Sequence, residues 1–171
     1  MRRRGFSLIE LALVLAIVAV AAGMVALGAR GTLGQLGMET CVDGVTAFDR
    51  ATRRLATEHD RPLRLVVDLA ANRLRRTDAE GRRGLGEPLR MANGYRVAEV
   101  RLPGRRMTSG TVAVSVSARG VTPSYAVRLN GPGGRRRWVA VAGLTGQVWE
   151  PEDGDAVQTV FEAVGARRDA R

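Results

Sequence analysis

The chain of 171 residues contains one cysteine, Cys41, one histidine, His59, and no lysine at all. A lone cysteine excludes an intramolecular disulfide framework and any CxxC metal knuckle. One histidine without a cysteine cluster leaves little for a transition-metal site or a histidine-based triad. Aromatic residues make up only 4% of the chain, and proline occurs six times. Most enzyme classes are therefore excluded before any motif is sought. All 27 basic residues are arginine, set against 17 acidic ones for a formal net charge of +10. Arginine forks phosphate well, so a basic, lysine-free chain invites a nucleic-acid reading. The arginines are nevertheless scattered through every segment rather than gathered into a stripe, as a coding bias of arginine over lysine would leave them.

Charge is also missing locally. From residue 11 to residue 29 there is none, and the run is almost entirely Leu, Ala, Val and Ile. Nineteen residues of helix would extend ~28 Å, close to the ~30 Å hydrocarbon thickness of a bilayer. Arg2, Arg3 and Arg4 precede the run, which keeps the amino terminus cytoplasmic. A cleaved secretory signal would have a shorter apolar core, ~7–15 residues, with its cut site after it. An ordinary single-pass anchor explains length and orientation. Neither explains Glu10, a carboxylate at the edge of the apolar segment that by default calls for a partner.

Gly5-Phe6-Ser7-Leu8-Ile9-Glu10 resembles the processing site of type IV pilins and of the pseudopilins of type II secretion. In that class a prepilin peptidase cuts after the glycine and methylates the new amino terminus. The resemblance implies a cut between Gly5 and Phe6, N-methylation of Phe6, and Glu10 as fifth residue of the mature chain. It further implies that Glu10 of one subunit pairs with the Phe6 amine of its neighbour, each charge supplying the other's missing partner.

Beyond residue 29, Gly31, Gly34 and Gly37 each weaken a helix by ~1 kcal/mol relative to alanine, so a frayed or bent segment is expected. Helical spacing resumes with Met38, Cys41 or Val42, Val45, Phe48, Thr52 and Leu55 on one face, with Asp43, Arg50, Arg53, Arg54 and Glu58 opposite. Asp60-Arg61-Pro62 ends the helix. Alternation then predicts strands at 63–68, 73–77, 95–102, 111–117, 124–129, 137–142 and 146–150. Asn130-Gly131-Pro132-Gly133-Gly134 supplies a hairpin turn. Residues 80–88 read as a loop, and 153–171 as a charged, loosely attached tail.

One amino-terminal helix packed on antiparallel sheet is an α+β pattern. Residues 119–129 and 139–148 resemble the closing strands of the GspH/FimT family, minor pseudopilins of type II secretion and related minor pilins. The expected organisation is a cleaved leader at 1–5, a transmembrane assembly helix at 6–29, a periplasmic pseudopilin domain at 30–150 and a flexible tail at 151–171. The chain lacks the proline that many relatives carry in the membrane helix. The resemblance implies a structural component, not an enzyme. It would be anchored in the inner membrane near the tip of a periplasmic pseudopilus, with the prepilin peptidase and the major and other minor pseudopilins as partners. No cofactor and no metal is expected.

Three clusters compete with that reading. Glu152-Asp153-Gly154-Asp155 is too short to supply the six to eight oxygens of a calcium site and reads as a solvated turn. Asp49, Glu58, His59 and Asp60 read as surface charge at a helix end. Gly134-Arg135-Arg136-Arg137-Trp138 places three arginines beside an aromatic, suited to forking phosphates while Trp138 stacks on a base. It resembles the Gly-Arg-x-Arg element with which FimT-like minor pilins bind DNA for uptake, matching at Gly134, Arg135 and Arg137, but it lies inside a hairpin. Nucleic acid is a partner only in that alternative; otherwise the element is a basic turn.

Overall fold

The computed structural model of the chain describes residues 8–92 and 94–169, with side chains omitted at 25–34 and 162–169. Two compact units are present, Met1–Leu36 and Gly37–Arg171. The element order is α1 (Leu8–Glu58), β1 (Leu63–Asp68), β2 (Arg73–Asp78), β3 (Leu89–Arg90), β4 (Arg96–Leu102), β5 (Arg105–Met107), β6 (Thr111–Val116), β7 (Tyr125–Asn130), β8 (Arg136–Val141), β9 (Val148–Trp149) and α2 (Gly154–Asp169).

In the first unit the backbone is helical from Leu8 onward, and α1 includes the glycines at 31, 34 and 37. Apart from Glu10, the side chains from Leu8 to Met24 are apolar and exposed on every side, Leu8, Ile9, Leu13, Leu15, Ile17 and Met24 among them. Among the described residues no helix is long and apolar enough to cross a membrane. The side chains of the expected span are described only as far as Met24.

In the second unit, α1 lays Met38, Cys41, Val42, Val45, Phe48, Thr52 and Ala56 inward. Asp60 stops it in the left-handed conformation (φ 46°) while the Arg61 N–H donates to Ala56 O at 3.1 Å. This six-to-one closure satisfies a terminal carbonyl, and Pro62 cannot continue the helix. Two antiparallel sheets follow, one in the order β3-β2-β1-β6 and one in the order β5-β4-β7-β8-β9. The first is built on β1, whose Leu63, Leu65 and Val67 stand opposite Val116, Val114 and Val112 of β6. The core fills the space between the sheets and α1, with Leu65, Val67, Leu74, Val100, Val127, Leu129 and Val139 fully buried. Cys41 belongs to that core, where burial pushes its thiol up from the ordinary value, so it stays protonated and inert.

The carboxyl terminus departs from expectation. A loosely attached tail was expected over 151–171; the structure has a helix there, α2. Asp153 is its N-cap, its Oδ1 accepting the Ala156 N–H at 2.8 Å. Asp155 sits in the first turn, where the helix dipole favours an anion. The acidic cluster is thus a helix start, not a solvated turn. Val157 and Phe161 are buried on the outer face of the second sheet against Ala126, Trp138 and Ala140, with Trp149 alongside. Truncation of a buried phenylalanine costs about 3–5 kcal/mol. Phe161→Ala is therefore expected to release α2 while the sheets stay folded, read as faster amide exchange and proteolysis confined to residues 151–171.

Candidate functional site

The sequence-expected sites fall in three places. Gly5 and Phe6 lie outside the described residues. Glu10 stands exposed in the first turn of α1 among exposed apolar side chains. Arg135 to Trp138 run from the hairpin turn into β8.

That third group does not form one patch. Alternation along β8 sends Arg136 and Arg137 to opposite faces. Arg137 Nη1 pairs with Glu150 Oε2 at 2.6 Å. Trp138, expected to offer a face for a base, is instead buried beneath α2. The Arg101 and Arg128 guanidiniums lie 5.0 and 5.8 Å from its ring centre. An indole enclosed in this way cannot stack on nucleic acid, because its apolar area is already spent on the docking of α2. Arg135 and Arg136 meet a different residue, Arg96, in a concavity at the end of the second sheet.

Charged junctions hold the domain together, one of them built on a residue that the sequence reading placed at the surface. Asp49, read as surface charge, is fully buried. Its Oδ2 accepts Arg53 Nε at 2.7 Å, and its Oδ1 accepts the Tyr125 hydroxyl at 2.8 Å. Arg53 Nη1 donates to Gly120 O at 3.0 Å and to Gly143 O at 2.8 Å, while Nη2 donates to Thr122 Oγ1 at 2.7 Å. One side chain of α1 thereby ties the loops that flank β7 and β8. Gly143 is needed for this approach, since a Cβ there would fall 2.6 Å from the Pro123 and Ser124 backbone. Burial, reinforced by the Asp49 charge, pushes the Tyr125 phenol well above its ordinary value of 10. On the other side, Arg76 of β2 lies 4.2 Å over the Phe48 ring and donates to Thr52 Oγ1 at 3.0 Å. Both junctions fix α1 against the sheets.

The second buried carboxylate is Glu99 on β4, with Arg101 Nε at 2.7 Å, Arg106 Nε at 2.8 Å and Arg128 Nη1 at 3.3 Å. A register shift between Val97 and Glu99 keeps Val97 and Val100 in the core while Glu99 and Arg101 face α2. Arg101 Nη1 then donates to Gly154 O at 2.5 Å, anchoring the start of α2.

These features join the helices and sheets of the domain to one another. Glu58, which the sequence reading grouped with Asp49 as charge at the helix end, is paired with Arg54 at 2.6 Å. The architecture is that of the pseudopilins, one long amino-terminal helix followed by antiparallel sheets. Residues 1–26 match the sequence pattern described as a prokaryotic N-terminal methylation motif. Among solved structures the fold is similar to the minor pseudopilin EpsH from the Type 2 Secretion System of Vibrio cholerae. The TM-score is 0.56 at 11% identity, over 70% of this chain and 99% of that one. No curated protein matches the sequence.

Proposed function

We propose that the protein is a minor pseudopilin of a type II secretion system, a structural subunit that joins a periplasmic filament through its amino-terminal helix. The observation that carries this reading is the helix from Leu8 to Met24, exposed all round and apolar but for Glu10, within the match to a methylation motif over residues 1–26. A helix apolar on every face is stable only when surrounded, by lipid or by other apolar helices. Membrane storage followed by packing in a filament supplies both surroundings in turn. In this reading the domain from residue 30 lies in the periplasm and supplies lateral contacts to the major and other minor pseudopilins near the filament tip. The buried Asp49–Arg53 pair fixes the domain's own stretch of α1 against its sheets. A DNA-uptake role gains no support from the hairpin, since Trp138 is buried and Arg137 paired.

The experiment is amino-terminal sequencing and intact mass of protein extracted from membranes of cells that carry a prepilin peptidase. A mature chain that begins with N-methylated Phe6 is expected. A chain that begins after Ala22, or one left uncut, overturns the proposal.

A further inference from the structure

Across three neighbouring strands of the second sheet, Arg96 of β4 stands opposite Asn130 of β7, and Asn130 opposite Arg136 of β8. Residues directly opposite share a face, so two guanidiniums flank one amide. Together with Tyr95, Gly134 and Arg135 they line a concavity of about 390 Å³ that has no acidic residue in its wall.

Several arginines of the domain are matched by carboxylates. Glu99 gathers Arg101, Arg106 and Arg128, Asp49 holds Arg53, and Glu150 holds Arg137. Among the described residues no ion pair reaches Arg96 or Arg136. Asn130 Oδ1 is buried there without a hydrogen-bond partner. Rotation of that amide presents its N–H₂ donors in place of the oxygen. Guanidinium forks and an amide around a concave space are complementary to a tetrahedral oxyanion.

The position names the source of that anion. The Tyr95 ring and hydroxyl lie directly against Gly37, and a Cβ on Gly131 would fall 3.0 Å from Met38 Cε. The concavity is therefore at the end of the domain where α1 enters it, eight residues of chain beyond the apolar run that ends at residue 29. We propose that it is a phosphate site holding the headgroup phosphate of an anionic phospholipid at the membrane surface. The proposal rests on the membrane-anchored reading above.

The test uses the full chain in neutral detergent, titrated with phosphatidylglycerol or phosphatidylcholine and read by native mass spectrometry. Retention of phosphatidylglycerol over phosphatidylcholine is expected. The loss is expected to be roughly tenfold or more in affinity for Arg96→Gln with Arg136→Gln. Arg96→Lys with Arg136→Lys should restore part of it, because the charge stays and the fork goes. An unchanged unfolding midpoint shows that the variants are folded. Equal retention of the two lipids, or phosphatidylglycerol retention indifferent to the double substitution, overturns the proposal. Inorganic phosphate bound through the same arginines without lipid preference assigns the site to a free phosphate and overturns the lipid source. Duplex DNA that displaces phosphatidylglycerol through the same arginines, and binds tighter than the lipid, overturns it in favour of a nucleic acid. Sequencing the amino terminus of the same preparation separates the two readings. A chain cut after Gly5 without selective lipid retention fails the pocket alone, and an uncut chain fails the assembly reading.

Discussion

Asp49→Ala is expected to destabilise the Gly37–Arg171 unit by about 3–5 kcal/mol, the usual cost of removing one partner of a buried ion pair. The alanine leaves Arg53, whose side chain is only 11% exposed, without its counter-charge, and the Tyr125 hydroxyl without its acceptor. Carbonyl and hydroxyl acceptors at Gly120, Gly143 and Thr122 still solvate the guanidinium but do not neutralise it. For a unit of this size the change corresponds to a fall of roughly 10–20 °C in unfolding midpoint. Tyr125→Phe removes one hydrogen bond to a charged group and should cost about 1.5–3 kcal/mol. Urea unfolding of the full chain in detergent, followed by circular dichroism, reads both. A loss under 1 kcal/mol for Asp49→Ala would show that the junction contributes nothing to the fold. The same junction predicts alkaline sensitivity. Burial raises the folded-state value of Tyr125, so the folded chain holds that proton more tightly than the unfolded chain. Its contribution is complete below pH 10 and is lost as pH rises above that value; Tyr125→Phe should flatten this limb.

Under the proposed assembly, Glu10→Ala is expected to leave membrane insertion intact and to abolish co-assembly with pseudopilins. Glu10 stands in the first turn of a helix whose neighbouring side chains are exposed and apolar, and among the described residues no ion pair reaches its carboxylate. A charge at the centre of a spanning helix costs about 2.5–3.5 kcal/mol on insertion scales. Pairing with the amino terminus of an adjacent subunit would remove that cost only in the filament. Glu10→Gln should fail like the alanine variant, because the amide keeps the shape and loses the charge. The measurement is site-specific cross-linking and co-purification with the major pseudopilin, beside carbonate extraction of membranes. Co-assembly at the level of the unsubstituted chain would remove Glu10 from the mechanism.

Where the pattern repeats over many residues, the sequence announces the structure. Val112, Val114 and Val116 alternate strictly, and all three face the core of β6. The Asn130–Gly134 turn joins β7 to β8, and Asp60-Arg61-Pro62 ends α1. Tyr95–Leu102 alternates weakly for a physical reason, since the register shift at Val97 puts core residues three apart. Strands β3 and β5 span only two and three residues and are held by their neighbours, so they carry no period of their own. The helix α2 did carry one. Val157, Val160, Phe161 and Val164 recur at helical spacing behind an N-capping aspartate, but the charged composition of the segment masked it. Asp49 was also readable, because it continues the stripe of Met38, Val42 and Val45 and precedes Arg53 by one helical turn. What the sequence withheld is long-range. Nothing local says that Tyr125 is the acceptor's second donor, or that Arg96 of a distant strand joins Arg135 and Arg136.

The seat of α2 also gives the chain a built-in optical gauge. Its two tryptophans, Trp138 and Trp149, both stand where that helix docks, Trp138 with two guanidiniums 5.0 and 5.8 Å from its ring centre. Emission excited at the red edge of protein absorption therefore reports the state of the carboxyl-terminal helix and little else, with no dye attached. A subunit that lets this helix swing away on meeting a neighbour would shift to longer wavelength while its far-ultraviolet spectrum stayed constant. One that keeps it clamped would enter the filament without a change of colour.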